Sequence, residues 1–187
     1  DSELVEREIQ SFTLIDPFLF LPPNQITEVV NTQNVPFDIS IVSFFPHSHL
    51  LGQSWEVFAT TLENDTIPFI KINNWDFDWQ NYYYPEYMLH IPAESTIHAK
   101  AVYDNTSNNP DNPNNPPQYV TWGDGTTDEM FFLPILWVPY WDGDENLYLG
   151  EYEFIPGDVN IDQDLNVIDV VLIVNFILGY EEFTSEQ

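Results

Sequence analysis

Two of the chain's four histidines stand one residue apart in Phe45-Pro46-His47-Ser48-His49-Leu50-Leu51-Gly52. On an extended strand, residues i and i+2 project to the same side, so both imidazoles can close on a single ion. Met130, one of two methionines, offers a thioether as third ligand. Soft sulfur beside two imidazoles selects copper over zinc or calcium, favours Cu(I), and leaves the metal open enough to meet dioxygen. Plainer roles compete with that chemistry: His47 and His49 satisfied at a strand end and in a turn, and Met130 as core filler before an apolar strand. Met88, between Tyr87 and Leu89, reads as packing. His90 and His98 flank Pro92 at a spacing with no ligand geometry behind it.

A second set of ligand types lies near the C-terminal end. Asp158, Asn160, Asp162, Asn166 and Asp169 fall at positions 1, 3, 5, 9 and 12 of a calcium loop, with the backbone carbonyl of Asp164 at position 7. Asp169 stands where an EF-hand has Glu, and Gln163 where it has the Gly that eases the turn. Val167 to Leu178 then reads as a helix stopped by Gly179 at C′. That helix is apolar nearly all round and needs a partner surface, which could be the rest of the chain or a neighbour in a homo-oligomer or fibre.

With 31 Asp or Glu against three Lys or Arg in 187 residues, the formal charge is −28. Such a chain repels nucleic-acid backbones and anionic membrane surfaces, and no apolar run is long enough for a membrane span. The compact state needs screening salt or bound cations, which suits an extracellular setting with calcium available, although a merely soluble surface accounts for the same excess. There is no cysteine, hence neither a disulfide frame nor a thiolate site. The sequence starts at Asp1 and carries no signal peptide, so removal of an upstream segment and a secreted or cell-surface location are expected.

The elements that must position these groups are short. Ser11–Leu21, Ile26–Val30, Phe37–Phe45, Trp55–Leu62, Ile67–Ile72, Thr96–Tyr103, Gln118–Trp122, Glu129–Trp137 and Leu147–Phe154 are rich in Val, Ile, Thr and aromatics, punctuated by Pro, Asn, Asp and Gly. This predicts an all-β, antiparallel sandwich or barrel over residues 1–155, a calcium loop and helix over 156–180, and a tail over 181–187. The Asn- and Pro-rich residues 104–117 read as a rigidified loop inside one domain. Asn64-Asp65-Thr66 and Asn105-Thr106-Ser107 fit a glycosylation sequon, a weak signal. The aromatic segment from Trp75 to Tyr87 reads first as sandwich core with Tyr hydroxyls at the rim, and second as the lining of an apolar substrate groove.

Four ordered motifs over residues 11–150 carry a resemblance. They are Phe45 to Trp55 around the histidine pair, Ile70 to Gln80, Tyr103-Asp104-Asn105 with Asn112 to Pro117, and Trp122-Gly123-Asp124 with Thr127-Asp128-Glu129-Met130. Together they resemble the second domain of the copper type II, ascorbate-dependent monooxygenases, such as peptidylglycine alpha-hydroxylating monooxygenase and dopamine beta-monooxygenase. The resemblance implies a jelly-roll-like β-sandwich in which His47, His49 and Met130 hold the dioxygen-activating copper of a C–H hydroxylase. It further implies electrons from ascorbate through a second copper held by three histidines in a preceding domain. No histidine precedes His47, so coupled hydroxylation calls for an upstream copper domain or a partner chain. The resembled peptide enzyme's carboxylate-anchoring Arg is Phe45 here and its substrate-facing Tyr is Pro134, which disfavours a peptidylglycine substrate. Gly157 to Gly179 resembles a single type I dockerin repeat, where a complete dockerin has two. An extracellular structural or adhesive protein, assembling through the sandwich and a calcium-ordered helix without turnover, is the alternative function.

Overall fold

The computed structural model describes residues 7–150, 157, 159 and 164–179. Its chain forms two compact units, Asp1–Leu149 and Gly150–Gln187.

Ten strands build the first unit: β1 (Gln10–Ile15), β2 (Phe20–Leu21), β3 (Gln25–Asn34), β4 (Ile39–Phe44), β5 (Gly52–Thr60), β6 (Thr66–Ile72), β7 (Leu89–Ile91), β8 (Thr96–Asn105), β9 (Val120–Thr121) and β10 (Phe132–Pro139). One four-stranded sheet runs β1-β10-β4-β7 and another β3-β8-β5-β6, while β2 and β9 form a small ribbon. Leaving that ribbon aside, the orders are first-eighth-third-sixth and second-seventh-fourth-fifth, all antiparallel. This is the strand order of a jelly roll. The fold class expected from strand spacing is therefore present, followed among the described residues by a short 3-10 turn, Asp144–Asn146, and an α-helix, Val167–Leu178.

Alternation explains most of the burial. In β8, Ile97, Ala99, Ala101, Tyr103 and Asn105 are buried and the residues between them are not; β5 buries Trp55, Val57 and Ala59 in the same way. The two inner rows meet the inner row of the other sheet, including Ile39, Ile41, Leu133 and Ile135, in one core. β4 departs from alternation because both its faces are covered: Ser40 and Ser43 are as buried as Ile41.

Several sequence boundaries move for local reasons. The run Ser11–Leu21 breaks at Asp16-Pro17, where the Asp16 carboxylate accepts the Phe18 N–H at 3.0 Å in an Asx turn. The run Glu129–Trp137 becomes a strand only at Phe132, since the backbone of Glu129 bridges instead to Thr121 and Gly123. β7, three residues between Pro85 and Pro92, gives too short a pattern to read. Of Leu147–Phe154, the described part holds an isolated bridge from Tyr148 to Tyr87 rather than a strand, and residues 151–154 lie outside the described residues.

The loop after β8 is cross-tied as expected. Asp104, Asn109 and Asn112 each accept a backbone N–H two residues on. Asn105 is fully buried, and its amide nitrogen reaches the carbonyls of Leu21, Pro22 and Gln118 at 2.7–3.1 Å. That use of the amide closes one of the two sequons to modification in the folded chain.

In the second unit, helix α1 (Val167–Leu178) opens with a capping box. Asn166 Oδ1 accepts the Ile168 N–H at 2.7 Å, and Asp169 Oδ2 reaches back to the Asn166 N–H at 2.8 Å. Asp169 Oδ1 accepts the Val159 N–H at 3.0 Å, and Gly179 takes φ 72° as the expected C′ residue. Among the described residues no helix is long and apolar enough to cross a membrane, which says nothing of β-barrels.

A buried carboxylate ties β1's leading segment to the end of β10. Arg7, the one arginine, donates to both oxygens of Asp144 at 2.6 and 2.8 Å and to the Pro139 carbonyl, and lies 4.3 Å above the Trp141 ring. Ser40 Oγ and the Trp141 N–H also donate to Asp144. The Arg7 hydrogen bonds hold its carboxyl down at about 2. A depressed acid stabilises the fold above its unfolded value of 3.8 and loses that contribution as pH falls toward 2. Arg7→Ala should therefore cost about 2 kcal/mol in urea melts at pH 7, with the deficit relative to the parent narrowing as pH falls from 4 to 2.

Candidate metal centre

His47 lies just beyond β4 and is held to the first residue of β10: its N–H donates to the Phe132 carbonyl at 2.9 Å, and Phe132 N–H returns the bond at 3.2 Å. Ser48, pointing the other way, is buried and accepts the Trp55 indole N–H at 3.0 Å. The i, i+2 reading of the pair is thus realised, with ring centres 5.1 Å apart and planes at 83°. Gly52, where the chain turns into β5, is obligatory because a Cβ there would sit 2.6 Å from the Trp75 ring and 2.8 Å from Ser48 Cβ.

Each imidazole has its Nδ1 committed. His47 Nδ1 faces Gln80 Oε1, and the Gln80 amide nitrogen donates to the Phe77 carbonyl at 2.7 Å, so that oxygen is fixed as an acceptor. His49 Nδ1 lies 3.1 Å from the Asp128 carbonyl oxygen, which can only accept. Both rings must carry hydrogen on Nδ1, which leaves both Nε2 lone pairs for a ligand. Two imidazoles meeting one ion through bonds of about 2 Å have centres roughly 5 Å apart at a tetrahedral angle, so the pair fits a shared metal. Burial lowers the His47 pKa, Gln80 pulls the other way, and His49 adds to the lowering. The ring is thereby kept in the neutral form that ligation requires.

Met130 and His47 share the wall of an open cavity of about 610 Å³ with Phe45, Trp122 and Phe132, where Gln80 and Asp124 are the other polar groups. His49 instead borders a more polar depression of about 450 Å³ with Trp75, Phe77 and the carboxylates of Asp76, Asp78 and Asp111. The structure therefore joins His47 to His49 and His47 to Met130, with the pair standing between two openings. Among the described residues no three His, Cys, Asp or Glu side chains gather as a metal group. A centre here depends on the thioether.

Sequence reasoning missed Glu129. Its side chain is fully buried; Oε1 accepts the N–H groups of His49 and Met130, the latter at 2.8 Å, and Oε2 accepts the Leu51 N–H at 2.9 Å. Burial pushes the carboxyl up to about 7 against the pull of those donors. Its only signal was its place before Met130, hidden among 31 acidic residues. Tyr103, buried, donates its hydroxyl to the Met130 carbonyl at 2.8 Å. Gln80 was likewise unassigned.

Other candidates fall elsewhere. His90 bonds Asp38 at 3.0 Å and stacks on Tyr140; His98 meets Thr60 at 2.8 Å and stacks on Phe58. They occupy β7 and β8, in different sheets. The aromatic segment divides: Tyr82 stacks on Phe45 and Phe77 meets His49 edge-on, while Trp79 and Tyr84 are exposed. Of the calcium-loop residues, Asp164, Asn166 and Asp169 are described, and the side chains of Asn166 and Asp169 serve the helix cap. Asp158, Asn160 and Asp162 lie outside the described residues.

No family model and no curated protein matches the chain. Solved structures that align with it include the VP2 subviral particle of infectious bursal disease virus, at 12% identity and TM-score 0.33, covering 93% of this chain and 50% of that one. T=1 particles derived from the same virus align at 11% and 0.31, covering 93% and 48%. The chain spans about half the length of these structures, and at such scores the strand order alone defines the class: an antiparallel, jelly-roll-like β-sandwich.

In ¹⁵N-resolved NMR, both His47 and His49 should appear as Nδ1–H tautomers near pH 7.5. Gln80→Ala should blur that preference at His47 alone and shift its titration further down, since it removes the bond that raises its pKa.

Proposed function

We propose that this chain is a secreted copper-binding domain of the kind that activates dioxygen in ascorbate-dependent monooxygenases, with His47, His49 and Met130 as ligands. The observation that carries the reading is the pair of spoken-for Nδ1 atoms, which leaves both Nε2 lone pairs free on rings whose centres stand 5.1 Å apart. Bound copper would supply one-electron chemistry toward dioxygen and an activated C–H bond. Gln80 and the Asp128 carbonyl fix ring orientation, while Phe45, Trp122 and Phe132 give the cavity beside Met130 an apolar wall. Phe45 contributes no cation there and Asp124 contributes a carboxylate, so an anionic substrate is disfavoured.

Electrons must come from outside this chain's centre. The two remaining histidines, His90 and His98, sit in different sheets with their own partners and cannot form a second three-imidazole site. Ascorbate acting directly, an upstream copper domain or a partner chain fills that need in this proposal.

Cu(I) affinity, measured by competition with a chromophoric chelator, should fall about tenfold or more in Met130→Ala and vanish in His47→Ala/His49→Ala. Anomalous scattering at the copper edge should place one ion between the rings. Unchanged affinity in Met130→Ala would defeat the ligand assignment.

For the second unit we propose calcium held by Asp158, Asn160, Asp162, Asn166, Asp169 and the Asp164 carbonyl. Ligation would draw Asn166 and Asp169 from their capping bonds. Millimolar calcium should raise the melting temperature of the full chain's helical signal, and Asp162→Ala should abolish the rise; an equal rise with magnesium would count against a calcium loop.

A further inference from the structure

Residues 49 and 130 are far apart in sequence, yet a single carboxylate oxygen receives the backbone N–H of both. Two nitrogens bonded to one oxygen cannot stand more than about 6 Å apart, so Glu129 Oε1 sets the spacing between the segment that carries the imidazoles and the residue that carries the thioether. Its other oxygen pins Leu51, two residues past His49. The side chain has no exposed surface, so water cannot substitute for it. Tyr103 holds Met130 from the carbonyl side and leaves the N–H side to Glu129 alone. His47 is positioned independently, by Phe132 backbone and by Gln80.

We propose that Glu129 is a positioning residue for the metal centre, acting through Met130: it brings the thioether to the ion, whereas each imidazole ring keeps its own Nδ1 partner, Gln80 for His47 and the Asp128 carbonyl for His49. This rests on the copper reading. Glu129→Asp keeps the acid but withdraws the carboxyl group by one methylene, out of reach of the His49 N–H. Glu129→Gln keeps an oxygen for the shared His49 and Met130 bonds and gives up acceptance on the Leu51–Gly52 side, where its amide nitrogen meets backbone donors.

The experiment measures Cu(I) affinity and the sulfur contribution to copper-edge X-ray absorption for both variants, with Met130 present and with Met130→Ala. Glu129→Asp should lose the sulfur signal and about tenfold in affinity, with no further loss when combined with Met130→Ala. Glu129→Gln should keep sulfur and stay within about threefold of the parent. Retained sulfur in Glu129→Asp, or an equal loss of affinity with and without Met130, overturns the proposal. So does a Glu129→Gln protein that fails to unfold cooperatively, because the residue's role is then in folding. If Met130→Ala alone changes neither readout, the copper reading itself fails, a result distinct from each of these.

Discussion

Antiparallel pairing of β4 with β10 is the constraint from which the candidate site follows. When two strands run in opposite directions, the end of one lies beside the start of the other. The histidines come directly after β4 and Met130 directly before β10, so a register that pairs Phe44 with Ile135 also brings His47 against Phe132. The jelly-roll order makes these neighbours although about ninety residues separate them. Contacts at the site are consequently a property of the whole sandwich and not of a local motif.

The charge of the chain is managed separately from that geometry. All three cationic side chains are paired: Arg7 with Asp144, Lys71 with Glu56 and Lys100 with Glu28. The two lysine pairs are solvated and contribute little, while the arginine pair is sheltered and locks a strand edge. None of the three lines the cavity that Met130 shares with His47, where Phe45, Trp122 and Phe132 supply the aromatic wall and Gln80 and Asp124 the other polar groups.

Fold class was legible because period-two burial in β5 and β8 follows directly from alternating residue types. Same-side projection of His47 and His49 was legible for the same reason, as was the α1 stop at Gly179. What escaped reading was whatever depends on partners distant in sequence. Three-residue β7 exists because β4 offers it an edge, and Glu129 is special only because folding removes it from water and surrounds it with N–H donors. Gln80 reads as one more polar loop residue until the fold sets its oxygen against His47. The bulge between Leu136 and Trp137, which re-phases β10 against β4, leaves no mark in the alternation of so apolar a strand.

The committed Nδ1 atoms have one more consequence. A flexible histidine pair offers an arriving ion four nitrogens and several ring poses, and the ion must pay in order for the one it takes. Here the ring poses are settled as the sandwich closes, by an amide oxygen on one side and a peptide oxygen on the other. In the proposed centre, discrimination among ions would rest on softness and bond angle, with little adjustment of the chain: a rigid gauge that accepts what fits and does not mould itself to what arrives.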